Sequence, residues 1–256
     1  MSKMISRHNS IIEKVQTLNY QTVRQLADAL KVSEMTIRRD IQMLAGKGYL
    51  KQVYGGVMSS SERKTNPEYA LSDEMEKNIE KKKRIAAAAV DLLNPGDVIF
   101  LDTGTTVLTL ARMLPKDLPL TIITPSFTAI EALVNLPNIR LICPGGHFAP
   151  KQKTFYQSDV ANNIEGYRAN KSFIGAAGYD MNLGLTCYYP EDVLFKQAMM
   201  KLSQEKVLLL DSAKFNQVST CVYGNIEDFS KIITDEDIPL NYLEDIEHKH
   251  VEIILT

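Results

Sequence analysis

Three groups of hydrophobic residues recur every three or four positions before residue 45, and this spacing predicts three short helices. The groups begin at Ile11, Val23 and Ile37. Thr22 and Ser33 stand just before the second and third groups, where their hydroxyl groups can cap a helix. The chain is therefore expected to open with a small helical domain.

A predicted strand and a glycine pair follow these helices and indicate a β-hairpin at residues 49–57, because glycine permits a tight turn. Residues 58–70 are polar, with a serine run and a proline, which is typical of a linker. We therefore expect a small all-α head with a wing-like hairpin over residues 1–57, a linker over 58–70 and a second domain over 71–256.

Short hydrophobic runs bounded by turn residues alternate with helical patterns in the second domain. The predicted strands are 98–101, 120–124, 139–142, 172–174, 207–210, 231–234 and 251–255, and the predicted helices between them are 105–114, 128–135 and 190–202. Strands that alternate with helices imply βαβ units, so the fold class is α/β with a mostly parallel sheet. Before the first strand, Ser72 is expected to cap a helix whose first turns hold Asp73, Glu74 and Glu76.

Composition and charge distinguish the two domains. The 256 residues are 45% hydrophobic and 23% charged, which is typical of a globular protein and excludes a disordered or collagen-like chain. The net charge of −2 is spread unevenly, because residues 1–57 carry nine basic and four acidic side chains and the remainder carries an acidic excess. A basic head on an acidic body suggests that the head binds a polyanion.

The chain contains no apolar run near the roughly 18 residues that would cross a bilayer, and its first residues lack the apolar core of a signal peptide. Cys143, Cys187 and Cys221 are far apart and form no metal-ligand spacing. We therefore expect a cytoplasmic protein with reduced thiols, no membrane partner, no metal and no cofactor.

Residues 23–44 carry the most specific local pattern: two short amphipathic helices separated by a tight turn, which is typical of a helix-turn-helix. The second helix would enter the major groove of DNA with its amino-terminal half. Arg38 or Arg39 could donate two hydrogen bonds to a guanine, and Thr36 could contact a phosphate or a thymine methyl group. The turn carries Lys31 where glycine is common, so its backbone must avoid positive φ or tolerate strain. The alternative is an accessory helical bundle with a solvated basic face.

The phrase SEMTIRRDIQML, followed by KGYLKQVYGGV, resembles the DeoR family of bacterial transcriptional regulators. The resemblance implies that Ser33–Arg39 bind double-stranded operator DNA and that the wing contacts the backbone or the minor groove. Gln52 and Tyr54 depart from the arginine and histidine that are usual in the family. The expected DNA-binding residues are Arg24, Ser33, Glu34, Met35, Thr36, Arg38, Arg39, Lys51 and Tyr54.

The sequence DTGTT at 102–106 follows a predicted strand and opens a predicted helix. The N–H and hydroxyl groups of its two final threonines, with the helix dipole, would form a cradle for a phosphate or carboxylate. Lys214, Ser126 and Gly145 follow three other predicted strands. The carboxyl ends of parallel strands meet at one edge of a sheet, so a ligand crevice is expected there. Ordinary loops and a capped helix start are the alternative.

Further motifs extend the resemblance over nearly the whole chain, including KRIAAAAVDLLNPGDVIFLDTGTT, KSFIGAAGYD and DSAKF. The family's sensor domain is similar in fold to ribose-5-phosphate isomerase and typically binds a phosphorylated sugar or related metabolite. The resemblance and the strand-end pattern together give the expected effector-binding residues Asp102, Gly104, Thr105, Thr106, Ser126, Gly145, Gly175, Gly178, Glu191 and Lys214. Pro125, Asn170 and Gln157 depart from the family pattern, and Pro125 and Gln157 are expected to alter the choice of effector.

The leading hypothesis is a DNA-binding transcriptional regulator, a repressor of a carbohydrate operon, which is controlled by a small phosphorylated metabolite. A homodimer or homotetramer is expected, because a single winged head contacts few base pairs. The alternative is a sugar-phosphate isomerase-like enzyme with an accessory helical domain, in which Asp102, Glu191 and Lys214 act as acid, base and electrostatic stabiliser. A structural or adaptor protein is the third hypothesis, and it would leave both motifs unused.

Overall fold

A computed structural model of the chain describes residues 7, 8, 10–12, 14, 15, 20–46, 50–53, 56–59, 71–157 and 163–256. The chain divides into two compact units, Met1–Thr65 and Asn66–Thr256, which we call the head and the body. The predicted linker lies mostly at 60–70, outside the described residues, so the predicted domain boundaries stay predictions.

The head combines helices with a small antiparallel sheet. Its described residues between 7 and 15 are helical. The elements that follow are β1 (Tyr20–Thr22), α1 (Val23–Leu30), α2 (Glu34–Gly46), β2 (Leu50–Val53) and β3 (Gly56–Ser59). The predicted hairpin is present as β2 and β3, and β1, which the sequence pattern had not indicated, pairs with the other edge of β3.

The caps and the core of the head follow from the sequence. Thr22 accepts a hydrogen bond from the Gln25 N–H, and the Gln25 side chain accepts one from the Thr22 N–H, which closes a capping box at the start of α1. Apolar side chains from both helices and from the preceding helical residues are buried together, including Ile11, Leu26 and Ile37. The predicted cap Thr22 is thus confirmed, and the hydrophobic groups that predicted the three helices form the core of the head.

The body contains a seven-stranded parallel sheet. Its helices are α3 (Leu71–Glu76), α4 (Ile79–Val90), α5 (Thr105–Met113), α6 (Phe127–Leu133), α7 (Pro190–Leu202) and α8 (Leu240–His248). The sheet strands are β4 (Val98–Leu101), β5 (Leu120–Ile123), β6 (Ile139–Ile142), β9 (Ala169–Gly175), β12 (Ser203–Leu209), β14 (Lys231–Thr234) and β15 (Glu252–Leu255). These are the seven strands that the hydrophobic pattern predicted, with ends that differ by a few residues.

The strand order is β15-β14-β12-β9-β4-β5-β6. The direction in which successive strands are added to the sheet changes between β4 and β9. From β4 the chain adds strands towards β6, and from β9 it adds strands towards β15. All pairs in this sheet are parallel. Ligands of open α/β sheets bind at such a switch point, outside the carboxyl ends of the strands.

Alternate residues of each central strand enter separate cores on the two faces of the sheet. In β4, Ile99 and Leu101 pack with α4 and α5, whereas Phe100 packs on the face that α7 and α8 cover. Burial on both faces explains why the strands read as continuous apolar runs. An antiparallel sheet of β10 (Gly178–Asp180), β11 (Gly184–Cys187) and β13 (Cys221–Gly224) and a hairpin of β7 (His147–Ala149) and β8 (Thr154–Tyr156) complete the body.

Candidate functional site

The helix-turn-helix of the head is closed by an unusual turn. Lys31 follows α1 in the left-handed conformation, with φ 53° and ψ 44°, so the chain tolerates this conformation without a glycine. The N–H groups of Thr36 and Ile37 donate to the Ser33 carbonyl, and the Ser33 hydroxyl also accepts from the Thr36 N–H at 3.2 Å. Ser33 therefore caps α2 as predicted.

The amino-terminal half of α2 presents a polar, exposed face. Glu34, Met35, Arg38 and Arg39 are exposed, and Met35 keeps 63% of its surface accessible. Arg38 lies 3.6 Å from the carboxylate of Glu34, a solvated pair that would be weak enough to exchange for a DNA contact. On this surface α2 can offer two guanidinium groups to a base edge.

A buried carboxylate fixes α2 from behind. Asp40 accepts hydrogen bonds from Arg7 at 2.6 and 3.1 Å and lies 3.0 Å from His8, so the residues before α1 are tied to the recognition helix. Burial would raise the pKa of Asp40, but the hydrogen bonds from Arg7 and His8 lower it. Asp40 therefore serves as an ionised anchor for α2.

The remaining predicted DNA-binding residues lie on other elements. Arg24 is exposed in the first turn of α1. The backbone of Lys51 lies in β2, whereas its side chain and all of Tyr54 lie outside the described residues. Their predicted contacts with DNA stay predictions.

The body contains a cleft at the switch point of the sheet. It lies at the carboxyl ends of β4, β9 and β12, and the β7–β8 hairpin and the start of α7 contribute to its walls. A second, smaller cleft adjoins it and shares Thr103, Thr154, Tyr156 and Asp192. The fold thus places a polar cavity where parallel α/β sheets bind ligands.

The start of α5 forms one wall of this cleft. Gly104 has φ 107°, which an L side chain rarely adopts, and a methyl group at this position would point into open space. Among the described side chains none caps the start of α5, and Thr105 and Thr106, its first two residues, line the cleft. Lys214 lines the same cleft. The three residues of the predicted anion cradle thus line one cleft, and their binding of an anion stays a prediction.

The floor of the cleft holds a buried ion pair. The ammonium group of Lys196 donates to the Asp102 carboxylate and, at 2.8 Å, to the Gly175 carbonyl. The same Asp102 oxygen accepts from the Gly175 N–H at 2.9 Å. Burial alone would lower the pKa of Lys196, but the negative charges of Asp102 and Asp192 raise it. Lys196 and Asp102 therefore form a buried ion pair beneath the cavity.

A second carboxylate, Asp192, stands beside this pair, and no amine among the described residues forms a salt bridge with it. The Tyr156 hydroxyl donates to Asp192 Oδ1 at 2.8 Å. Burial raises the pKa of Asp192 to about 6, although the charge of Lys196 acts in the opposite direction. A carboxyl group with this pKa can accept or donate hydrogen bonds near neutral pH, which suits ligand hydroxyl groups.

Several predicted effector residues meet at the cleft, and others do not. Gly104, Thr105, Thr106, Gly175 and Lys214 line the larger cavity, and Asp102 and the exposed Glu191 line the smaller one. The three others are not among the residues that line either cavity. They are Ser126, which caps α6; Gly145, whose nearest neighbour is Gln157; and Gly178, which packs against the backbone of Gln217.

The three departures from the family pattern have different places in the fold. Pro125 lines the smaller cavity. Gln157 donates to the Pro144 carbonyl at 2.6 Å and packs beside the glycine pair. Asn170 lies at the amino end of β9, where it accepts from the Val98 N–H at 2.8 Å, so it belongs to the edge of the sheet opposite the cleft.

Four further residues shape the site and were not among the predicted effector residues. Asp192 and Lys196 are four positions apart on α7, so helical spacing could have placed them on one face. Tyr156 comes from the β7–β8 hairpin, and Glu74 comes from α3, where it lines the larger cleft. Only the tertiary fold brings these two into the site.

Comparison with known families identifies both parts of the chain. A family model described as a DeoR-like helix-turn-helix domain matches residues 7–63, and one described as a DeoR C-terminal sensor domain matches residues 77–236. No described helix is long and apolar enough to cross a membrane, and the described histidine, cysteine and acidic residues form no metal-binding group.

Similar proteins include regulators of sugar operons. The L-fucose operon activator of Haemophilus influenzae is 30% identical, covering 97% of this chain and 99% of its own, and the deoxyribose operon repressor of Escherichia coli K12 is 28% identical, covering 90% and 89%. Among solved structures, ribose 5-phosphate isomerase A from Methanocaldococcus jannaschii matches with a TM-score of 0.41 and 23% identity over 54% of this chain and 55% of its own.

Proposed function

Because this chain belongs to the DeoR family of transcriptional regulators, we propose that it represses a carbohydrate operon and that a small phosphorylated metabolite controls its affinity for operator DNA. Family membership makes it a DNA-binding regulator and not an enzyme, so the isomerase hypothesis is set aside. The sign of regulation is part of the proposal, since the similar proteins include an activator and a repressor.

The proposed operator contact is the exposed face of α2. Arg38 and Arg39 would donate to base edges, while Ser33, Thr36 and the first N–H groups of the helix would contact a phosphate. Glu34, Met35 and Arg24 border this face, and Lys51 and Tyr54 would contact the DNA backbone from the wing. The proposal also places the protein in the cytoplasm as a homodimer or homotetramer, which would present two heads to a symmetric operator.

The observation that carries the effector proposal is the uncapped start of α5 beside Lys214 in one cleft. A phosphate would accept hydrogen bonds from Thr105 and Thr106, and the positive charge of Lys214 would attract it. The sugar hydroxyl groups would then lie towards Asp192 and Tyr156, with Gly175 leaving room for the ligand. Asp102 would act chiefly by holding Lys196, because its described contacts are to Lys196 and Gly175.

The proposal is tested with the full chain and duplexes selected by it from a random library. A panel of pentose and hexose phosphates is screened for a change in duplex affinity and for a rise in melting temperature, because a ligand of the native state raises stability. Lys214→Ala should abolish the response to the active phosphosugar and keep duplex affinity. Lys116→Ala, a change at an exposed lysine outside the cleft, is the matched control. A Lys214→Ala protein that responds like the parent would refute the site.

A further inference from the structure

Glu74 is a buried carboxylate in the wall of the cleft. Only 7% of the residue is exposed, and its two carboxylate oxygens accept from Lys214 at 2.8 Å and from Lys77 at 2.6 Å. The buried Lys82 donates to the Glu74 carbonyl. Burial would raise the pKa of Glu74, but the two lysines hold it at about 2. Glu74 therefore already forms an ion pair with Lys214, the cation of the proposed phosphate site.

Residues 74–82 make several contacts with residues 211–214, the segment that carries Lys214. Asn78 donates to Asp211 at 3.0 Å, and Lys81 donates to the Ser212 hydroxyl at 2.6 Å and pairs with Asp235 at 2.8 Å. Asn78 separates α3 from α4 and has φ 53°, a conformation that asparagine tolerates better than most residues. We call this set of contacts the clasp. α3 contributes Glu74 to it, and the remaining contacts come from Asn78 and from Lys81 of α4.

The charges of the cleft make Glu74 a competitor for an anionic ligand. The described lining residues include two lysines, Lys196 and Lys214, and three carboxylates, Glu74, Asp192 and Asp211. Lys196 is already paired with Asp102. Of the two described lysines that line the cleft, Lys214 is therefore the one that would form an ion pair with a phosphate. A phosphate beside the intact Glu74–Lys214 pair would face a like charge at close range, which is unfavourable.

We infer that Glu74 is the residue that an anionic effector displaces from Lys214, and that this displacement releases α3 from the clasp. This inference rests on the proposed effector site. The displaced carboxylate keeps a partner, because Lys77 lies three positions away on the same stretch of chain and is largely exposed. Asn78 and α4 remain attached through Asp211, Ser212 and Asp235, so the change is confined to α3.

Release of α3 would couple effector binding to DNA binding, because the chain connects α3 to the head. α3 begins at Leu71, directly after the predicted linker at 58–70. An effector alters DNA binding only if it binds one arrangement of the protein better than another. Exchange of Glu74 for phosphate at Lys214 supplies such a difference, because only the ligand-free state joins α3 to Lys214 through the Glu74 carboxylate.

The first test measures inorganic phosphate binding to the full chain by calorimetry, with chloride at equal ionic strength as the reference. Glu74→Gln should bind phosphate at least about fivefold more tightly than the parent, the lower end of common coupling effects. Glu76→Gln is the matched control, because Glu76 is exposed on the same helix and is not among the residues that line the cleft. Equal phosphate affinity of the two variants would overturn the inference.

A second measurement does not depend on any variant. Hydrogen exchange of the parent chain should become faster at the amide groups of 71–76 when phosphate saturates the site, while 79–90 stays protected. Unchanged or slower exchange in α3 would also overturn the inference. Lys214→Ala separates the effector site from the role of Glu74. Phosphate binding that survives this change refutes the effector site, whereas loss of binding in this variant, together with unchanged exchange of α3 in the phosphate-saturated parent, refutes only the role of Glu74.

Discussion

Asp192 is expected to destabilise the body at neutral pH. One ammonium group, Lys196, lies beside two carboxylates, and it donates its hydrogen bond to Asp102. Asp192 keeps the Tyr156 hydroxyl as its hydrogen-bond donor. Replacement of Asp192 by asparagine removes the uncompensated charge and keeps an oxygen that can accept from Tyr156, so Asp192→Asn should stabilise the chain.

The magnitude follows from the pKa of Asp192, which burial raises from 3.8 to about 6. A shift of about two units corresponds to about 3 kcal/mol, at about 1.4 kcal/mol per unit. Between about pH 4 and pH 6 the folded chain binds a proton at Asp192 that the unfolded chain has lost, so stability falls as pH rises through this window. The advantage of Asp192→Asn should therefore be absent near pH 3.8 and approach about 3 kcal/mol above pH 6.

Urea unfolding, followed by circular dichroism at four pH values from 4 to 7.5, measures this difference directly. Comparison with the parent at each pH cancels the titration of all other groups. Glu191→Gln serves as the matched control, because Glu191 is the adjacent, exposed carboxylate on α7. A difference between Asp192→Asn and the parent that stays constant with pH would refute the reasoning, even if the variant were more stable.

Other positions give equally direct expectations. Arg38→Ala or Arg39→Ala should weaken binding to the selected duplex by about 1–3 kcal/mol if the side chain pairs with a guanine, as measured by fluorescence anisotropy at fixed salt; unchanged affinity in both would show that α2 does not read the sequence. Lys31→Gly should stabilise the head by up to about 1 kcal/mol in thermal unfolding, because glycine adopts positive φ without strain, and a lower melting temperature would contradict this. Gly146→Ala should cost more than about 2 kcal/mol, since its methyl group would lie 2.2 Å from the Tyr156 carbonyl oxygen at φ 114°, and near-parental stability in urea would count against the geometry.

The central sheet could be predicted from the sequence because its strands carry a strong local signal. The central strands are buried on both faces, so a run such as 98–101 is apolar throughout and is bounded by turn residues. The antiparallel strands at 178–180 and 184–187 escaped prediction, because they are short and contain glycine and polar residues. The helix at 240–248 was also missed.

The residues of the candidate site also differ in whether a local sequence signal marks them. Local pattern predicted the 102–106 cradle and Lys214, since a strand end followed by small or polar residues is visible in the sequence. Glu74 carried only a helix-start signal, and nothing nearby in the sequence indicates that it contacts a residue 140 positions away. Long-range ion pairs of this kind depend on how the tertiary fold brings α3 to the corner that follows β12.

The β7–β8 hairpin has a consequence for engineering. Its two strands pair with each other and stand apart from the seven-stranded sheet, yet the hairpin supplies Gln152, Thr154 and Tyr156 to the cleft wall. Part of the ligand-facing surface is thus carried by a short hairpin, which two backbone hydrogen bonds hold to residues 125–127. A biosensor could be retuned by exchanging Gln152, Thr154 and Tyr156 within this hairpin, with the sheet and the DNA-reading head left untouched.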